Sequence, residues 1–190
     1  MTVSEGRRGR GFYICDGCGM GWTKALPPKS HRTPYGLECA GRPKQPVSLA
    51  HQFRTQVLQI DFAVPAVPTL AFTYGLAYAF QLGAADVLEV PLTDLSALGY
   101  GSDSLSILLY DNVPGGAGLV SQLIQSEVLT ESLDRAIKRL AGDCGCPEES
   151  SCYGCLRTYG NQFLHHELKR GPIYNYLVQL QEHVFAGPTQ

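Results

Sequence analysis

The stretch CGCPEESSCYGC, residues 144–155, carries four of the chain's seven cysteines, and its reading decides the fold. Cys144, Cys146, Cys152 and Cys155 follow the pattern C-x-C-x5-C-x2-C. Four thiolates this close in sequence converge tetrahedrally on one ion when a turn folds the two halves together, and Pro147 and Gly154 suit such turns. A closed four-thiolate shell around zinc is structural, because the d10 ion is redox-silent and no coordination position stays open. An iron–sulfur cluster uses the same ligand set, and a disulfide is the third option. Seven is an odd count, and closely spaced cysteines in a reducing cytosol more often hold metal than pair. Zinc is therefore the expectation.

Outward from this cluster, the bulk composition sets limits. A chain of 190 residues with 44% hydrophobic content can build one ordinary domain plus a small appendage without cysteine staples. Fifteen basic against seventeen acidic residues give a formal charge of −2, which excludes an autonomous nucleic-acid binder that relies on an overall positive field. Any such contact has to come from a local patch. There is no apolar run long enough to span a membrane, and MTVSEGRRGRGF at the start is basic without the apolar stretch of a secretory signal. The expectation is a soluble, cytoplasmic protein with no membrane contact.

The expected fold class is α/β: a small zinc ribbon at residues 1–46, then a compact α/β domain at 47–190 whose four-cysteine zinc site lies near the C-terminal helices. The first ten residues, rich in Gly and Arg, are expected to be flexible. Residues 11–46 hold three cysteines, the only Trp and five prolines, with little apolar periodicity, which describes a module in need of a staple. Cys15 and Cys18 have knuckle spacing, with Gly17 and Gly19 freeing amides to face sulfur. Cys39 is the third ligand, His31 the natural fourth, and His51 the fallback.

Beyond Val47, FRTQVLQIDFAV (53–64) reads as a strand that the prolines at 65 and 68 end. PTLAFTYGLAYAFQLG (68–83) reads as a deeply buried helix of about four turns closed by Gly83. DVLEVPL (86–92) then reads as a short strand. SLSILLYD (104–111) is a continuous apolar run, the mark of a strand buried on both faces. Residues 119–142 read as one helix or two joined near Ser126. The last segment, 161–185, reads as a short helix, a Gly-Pro break and a final helix.

The runs ILLYDNVPGGAGLV (107–120) and CGCPEESSCYGCLRTYGNQFLHHELKRG (144–171), with FRTQVLQIDF and LAYAFQLGAADVLEV upstream, resemble the MrfA zinc-binding (MZB) domain family over roughly residues 50–175. That family lies at the C-terminal end of Mrf-type and Hrq-type superfamily 2 DNA-repair helicases, and in the DrmB protein of the DISARM anti-phage system. The resemblance implies one zinc on Cys144, Cys146, Cys152 and Cys155; with the ribbon, two ions are expected. The chain departs from a whole helicase in carrying neither the G-x-x-x-x-G-K-[ST] phosphate loop nor the acidic motor motifs. The implied partner is therefore a superfamily 2 helicase, as a subunit or as the rest of a longer chain, and the ribbon is most similar to the tail of a DrmB-like protein.

Catalytic readings are also open. NVPGGAG sits where a Gly-rich loop can offer amides to a phosphate, although Asp111 precedes it and no cation lies within it. Asp61 and Asp111, each near a strand end, make a candidate carboxylate pair for a metal-dependent nuclease. His165-His166-Glu167 places adjacent histidines about 100° apart on a helix, too divergent for one ligand. For nucleic acid, Arg157, Asn161, Gln162, Lys169 and Arg170 follow the cysteine cluster, and a pinned turn would array them toward phosphates, with Tyr153 and Tyr159 available for stacking. The expected function is non-catalytic: a zinc-stabilised accessory module that docks on a helicase and helps it engage DNA, with a purely structural interaction module as the remaining rival.

Overall fold

In the computed structural model, residues 2–4, 11–22, 30–41, 46–63, 69–100 and 105–185 are described. Of the start expected to be flexible, Thr2–Ser4 forms a strand; its remaining residues, and the prolines at 65 and 68, lie outside the described residues. The chain divides into two compact units, Met1–Phe53 and Arg54–Gln190.

The first unit is built from very short antiparallel pairs. β1 (Thr2–Ser4) pairs with β6 (Leu49–His51), β2 (Tyr13–Ile14) with β3 (Gly21–Trp22), and β4 (His31–Arg32) with β5 (Glu38–Cys39). Phe12 and Val47 exchange backbone hydrogen bonds of 2.8 Å. Ladders of two residues cannot hold themselves in water, and Cys15 is the buried apolar residue among those described here, so another source of stability is required.

The second unit has a real core. Its sheet runs in the order β7 (Val57–Asp61), β9 (Ser106–Asp111), β8 (Leu95–Tyr100), antiparallel throughout. The apolar run foreseen as a buried strand takes the central place, with Ile107 and Leu109 fully buried. One face of the sheet is covered by α1 (Leu70–Leu88), a 19-residue helix apolar nearly all round. α2 (Leu119–Gln122) and α3 (Ser126–Leu140) are separate, as expected for a join near Ser126, and α4 (Arg170–Phe185) closes the unit. No helix of the described residues is long and apolar enough to cross a membrane.

Two expected boundaries are corrected. Gly83 does not close α1; the helix runs on to Leu88, and Glu89 caps it in the left-handed region at φ 53°. Gly83 is instead the crossing point with α3, where an added Cβ would overlap the Ser132 carbonyl oxygen. The residues DVLEVPL are thus a helix end and a 3-10 turn (Leu92–Asp94), and the strand that pairs with β9 begins three residues later. Gly171 and Pro172 do not break a helix either. They lie in the first turn of α4, where proline's missing N–H would be unpaired in any case.

Gly83→Ala should force α1 and α3 apart along their length. Overpacking of this kind costs about 2 kcal/mol, read as a lower urea midpoint with unchanged slope.

Candidate metal centres

The second unit's cysteines sit on the turn between α3 and α4. Cys144 and Cys146 Sγ are 3.4 Å apart, Cys146 and Cys155 3.7 Å, Cys152 and Cys155 3.8 Å, and all four sulfurs lie within 4.8 Å of one another. These separations exclude disulfides, whose sulfurs bond at about 2.05 Å. They match sulfurs placed tetrahedrally around one zinc, which at a bond length near 2.3 Å are about 3.8 Å apart. The Cys152 N–H donates to Cys155 Sγ at 3.1 Å. The Cys146 backbone amide holds the Cys144 thiol down to about 7, while burial pushes Cys146 up to about 12 and also raises Cys155. Four clustered sulfurs at these separations suit a cation that stabilises thiolate, so the donor set fits zinc.

Cations of the chain itself hold this turn. Arg170, 8% exposed, donates Nε to the Cys146 carbonyl at 3.0 Å and Nη1 to the Leu140 carbonyl at 3.1 Å, so it ties the end of α3 to the start of α4. Gly142 lies under its guanidinium at φ 110°, where an added Cβ would sit 3.0 Å from Nη2. Arg139 Nε donates to the Cys155 carbonyl at 3.1 Å, and Arg157 Nε to the Ser151 hydroxyl at 3.1 Å.

The first unit's tetrad joins two hairpins. Cys15 and Cys18 lie between β2 and β3, while His31 and Cys39 face each other across β4 and β5. Cys15 and Cys39 Sγ are 3.8 Å apart, Cys18 Sγ is 3.2 Å from His31 Nε2, and the four ligand atoms lie within 4.8 Å of one another. His31 packs edge-on against Trp22, ring centroids 4.6 Å apart, and its buried Nδ1 has no hydrogen-bond partner, so Nε2 is the ligand atom. His51 is exposed beside Phe53 and takes no part. The Gly17 N–H donates to Cys15 Sγ at 3.4 Å, as expected, but the Gly19 N–H donates to the Cys15 carbonyl at 3.0 Å rather than to sulfur. Its counterpart is Gly41, whose N–H donates to Cys39 Sγ at 3.4 Å and whose added Cβ would lie 2.6 Å from Cys15 Sγ. Gly41 was missed, although Cys39-Ala-Gly41 repeats the pattern of Cys15-Asp-Gly17.

The array foreseen for phosphates does not assemble on one surface. Asn161 is fully buried; its Oδ1 accepts from the Thr158 N–H at 2.8 Å and its Nδ2 donates to the Leu156 carbonyl at 2.9 Å. Arg170 is the buried tie just described, Arg157 is half-buried on Ser151, and Lys169 pairs with Glu149 at 2.7 Å. Gln162 is exposed. Asn161 and Arg170 are thus corrected from surface contacts to internal braces. His165 Nε2 lies 3.0 Å from the Thr158 carbonyl and 2.9 Å from Asn161 Oδ1, while His166 is exposed beside Glu167.

The carboxylate pair is also corrected. Asp61 stands opposite Ser106 and Asp111 opposite Leu95, at the two ends of β9, about 17 Å apart at 3.4 Å per residue. Asp111 is fully buried and accepts from the N–H groups of Ala117, Leu119 and Val120 at 2.6, 3.1 and 2.9 Å. The amides at the end of NVPGGAG and the start of α2 are therefore held by the chain's own carboxylate, while those of Asn112, Gly115 and Gly116 donate to the Asp94, Arg54 and Val113 carbonyls, so the loop is occupied by the chain itself. Asp61 accepts from the Ser106 hydroxyl at 2.6 Å and from Gln59 Nε2 at 2.9 Å, which hold its carboxyl below the ordinary range.

A β-ribbon and a helix-linking turn, each closed by four thiolate or imidazole donors, define a zinc-binding α/β protein with two structural metal centres. Residues 75–156 match the model of the MrfA Zn-binding domain family, a segment that takes in all four cysteines of the second tetrad. The first tetrad lies outside the match. The chain is 28% identical over 208 aligned residues to the Druantia protein DruE of Escherichia coli (strain UMEA 4076-1), an alignment that covers 90% of this chain and 11% of that protein. The crystal structure of the helicase MrfA bound to DNA aligns with 78% of this chain and 19% of that one, at 14% identity and a TM-score of 0.48. The chain thus spans a small part of the length of each relative.

Proposed function

We propose that this chain is a non-catalytic accessory module of a superfamily 2 helicase system, cytoplasmic, in DNA repair or anti-phage defence, which docks on the motor protein and helps it engage DNA. The observation that carries the reading is the stretch from the end of the second tetrad onward, where Tyr153, Tyr159 and Phe163 are 62%, 87% and 63% exposed. Its backbone is fixed from below by the Thr158, Asn161 and His165 contacts and by the metal turn. Aromatic rings presented on a rigid support stack with unpaired bases, at about 1–3 kcal/mol per base. Each tetrad supplies four protein donors, enough to close a tetrahedral zinc shell with no position for an activated water, which supports a structural rather than a catalytic metal. The match of residues 75–156 to the MrfA Zn-binding domain family supports the setting.

The cations near the segment are engaged internally, so single-strand binding is expected to depend only shallowly on salt. Fluorescence anisotropy with labelled oligothymidine tests this: the whole chain should bind, and the Tyr159→Ala, Phe163→Ala double variant should bind at least about fivefold more weakly. The same internal pairing also favours a second reading, a purely structural interaction module. Absence of DNA binding, together with coelution of the chain with an Mrf-type motor on size exclusion, would select that module; absence of both would sink the proposal.

A further inference from the structure

The second unit holds an open apolar groove of about 510 Å3, none of whose lining residues belongs to the tetrad. Phe62 and Phe80, ring centroids 5.7 Å apart, form its floor with Leu133, and Leu129 of α3 and Leu180 of α4 form its walls. On α3 the lining positions Ser126, Leu129, Thr130 and Leu133 keep the i, i+3, i+4, i+7 spacing of a stripe that packs against another helix.

The charges around this groove are of one sign. Asp61 stands at its β7 end, Glu127 and Asp134 are exposed on α3 flanking the stripe, and Glu182 is exposed on α4. Of the cations on α3, Arg135 is paired with Glu131 at 2.9 Å, Arg139 donates to the Cys155 carbonyl, and Lys138 lies beyond the last lining residue. His183 at the rim directs Nδ1 to the Gln179 carbonyl at 2.8 Å. Such a rim repels a second copy of the same face, a nucleic-acid backbone and the headgroup of a fatty acid. It attracts a cationic chain.

We propose that this groove receives one amphipathic helix of the motor protein, apolar on the buried face and carrying Lys or Arg along its flanks. The inference rests on the docking half of the reading above and names the contact through which docking occurs. It is tested on the whole chain by anisotropy with two labelled helical peptides of roughly four turns, about 14 residues, one of Leu and Lys and one of Leu and Glu. The Leu/Lys peptide should bind at least about tenfold more tightly, and added salt should narrow the gap. Thr130→Trp, which fills the groove, and Ser126→Arg, an exposed substitution that reverses the rim, should each weaken it about tenfold with two zinc ions retained. Equal binding of the two peptides, no binding of either, or indifference to both variants overturns the groove assignment. If both variants still coelute with the motor, docking stands but occurs elsewhere; if the unaltered chain fails to coelute, it is the docking reading that fails.

Discussion

Cys152→Ser should lower the zinc content from two ions to one per chain and the thermal midpoint of the second unit by about 10 °C. The first effect follows from the donor set: a serine hydroxyl is neither soft nor ionised at neutral pH, and three thiolates leave the shell open. The second follows because the metal turn does more than hold a loop. Arg170 reaches the Cys146 carbonyl, Arg139 reaches the Cys155 carbonyl, and the Arg170 N–H donates to Ser150, so one folded turn fixes α3 and α4 to each other. Without the ion these carbonyls move, and the buried Arg170 guanidinium loses acceptors it needs at 8% exposure. Metal binding free energy is folding free energy at such a site, and a loss on the order of 4 kcal/mol corresponds to about 10 °C at roughly 2–4 °C per kcal/mol for a chain of this size. The apolar core around Ile107, Leu109 and Leu76 remains, so helical circular dichroism should persist below the lowered midpoint. Elemental analysis and a calorimetric scan on the same sample check both halves; a variant that keeps two ions and its midpoint excludes the four-thiolate centre.

How much of this was legible in the sequence depended on the range of the forces involved. Cysteine spacing is local chemistry, and both tetrads followed from it, as did the central strand from an apolar run with no polar break. The α1 boundary was misread because Gly83 looks the same in sequence whether it ends a helix or lets another helix approach; only the position of Ser132, far along the chain, separates the two. β8, LSALGY, went unrecognised because it contains no β-branched residue, and its pairing with β9 is a tertiary fact. Arg170 and Asn161, after the cluster, were misread for a related reason. Charge suggests a surface, yet the metal turn wraps carbonyls around Arg170 and backbone amides and carbonyls around Asn161, which turns two apparent phosphate ligands into braces. The aromatic rings of Tyr153, Tyr159 and Phe163 proved the more exposed feature.

Asp111→Ala should cost about 4 kcal/mol and separate architecture from catalysis. The substitution leaves three amides, those of Ala117, Leu119 and Val120, without their acceptor at a fully buried position. Each orphaned donor costs about 1–3 kcal/mol where water cannot replace the partner. Some relaxation of the glycines at 115, 116 and 118, all at positive φ, keeps the total toward the lower end of that sum. Asp111→Asn should recover part of the loss, because its carbonyl oxygen still accepts while its amide confronts donors. Urea denaturation reads the effect as a lower midpoint at unchanged slope. Asp61 supplies the contrast: it is exposed, and its contacts to Ser106 and Gln59 lie at the sheet edge, so Asp61→Ala should change stability by less than about 1 kcal/mol. A carboxylate pair serving one metal would be expected to behave alike, with activity rather than stability lost at both. Unequal stability losses instead mark Asp111 as the anion held by the turn into α2, and leave Asp61 as part of the acidic rim.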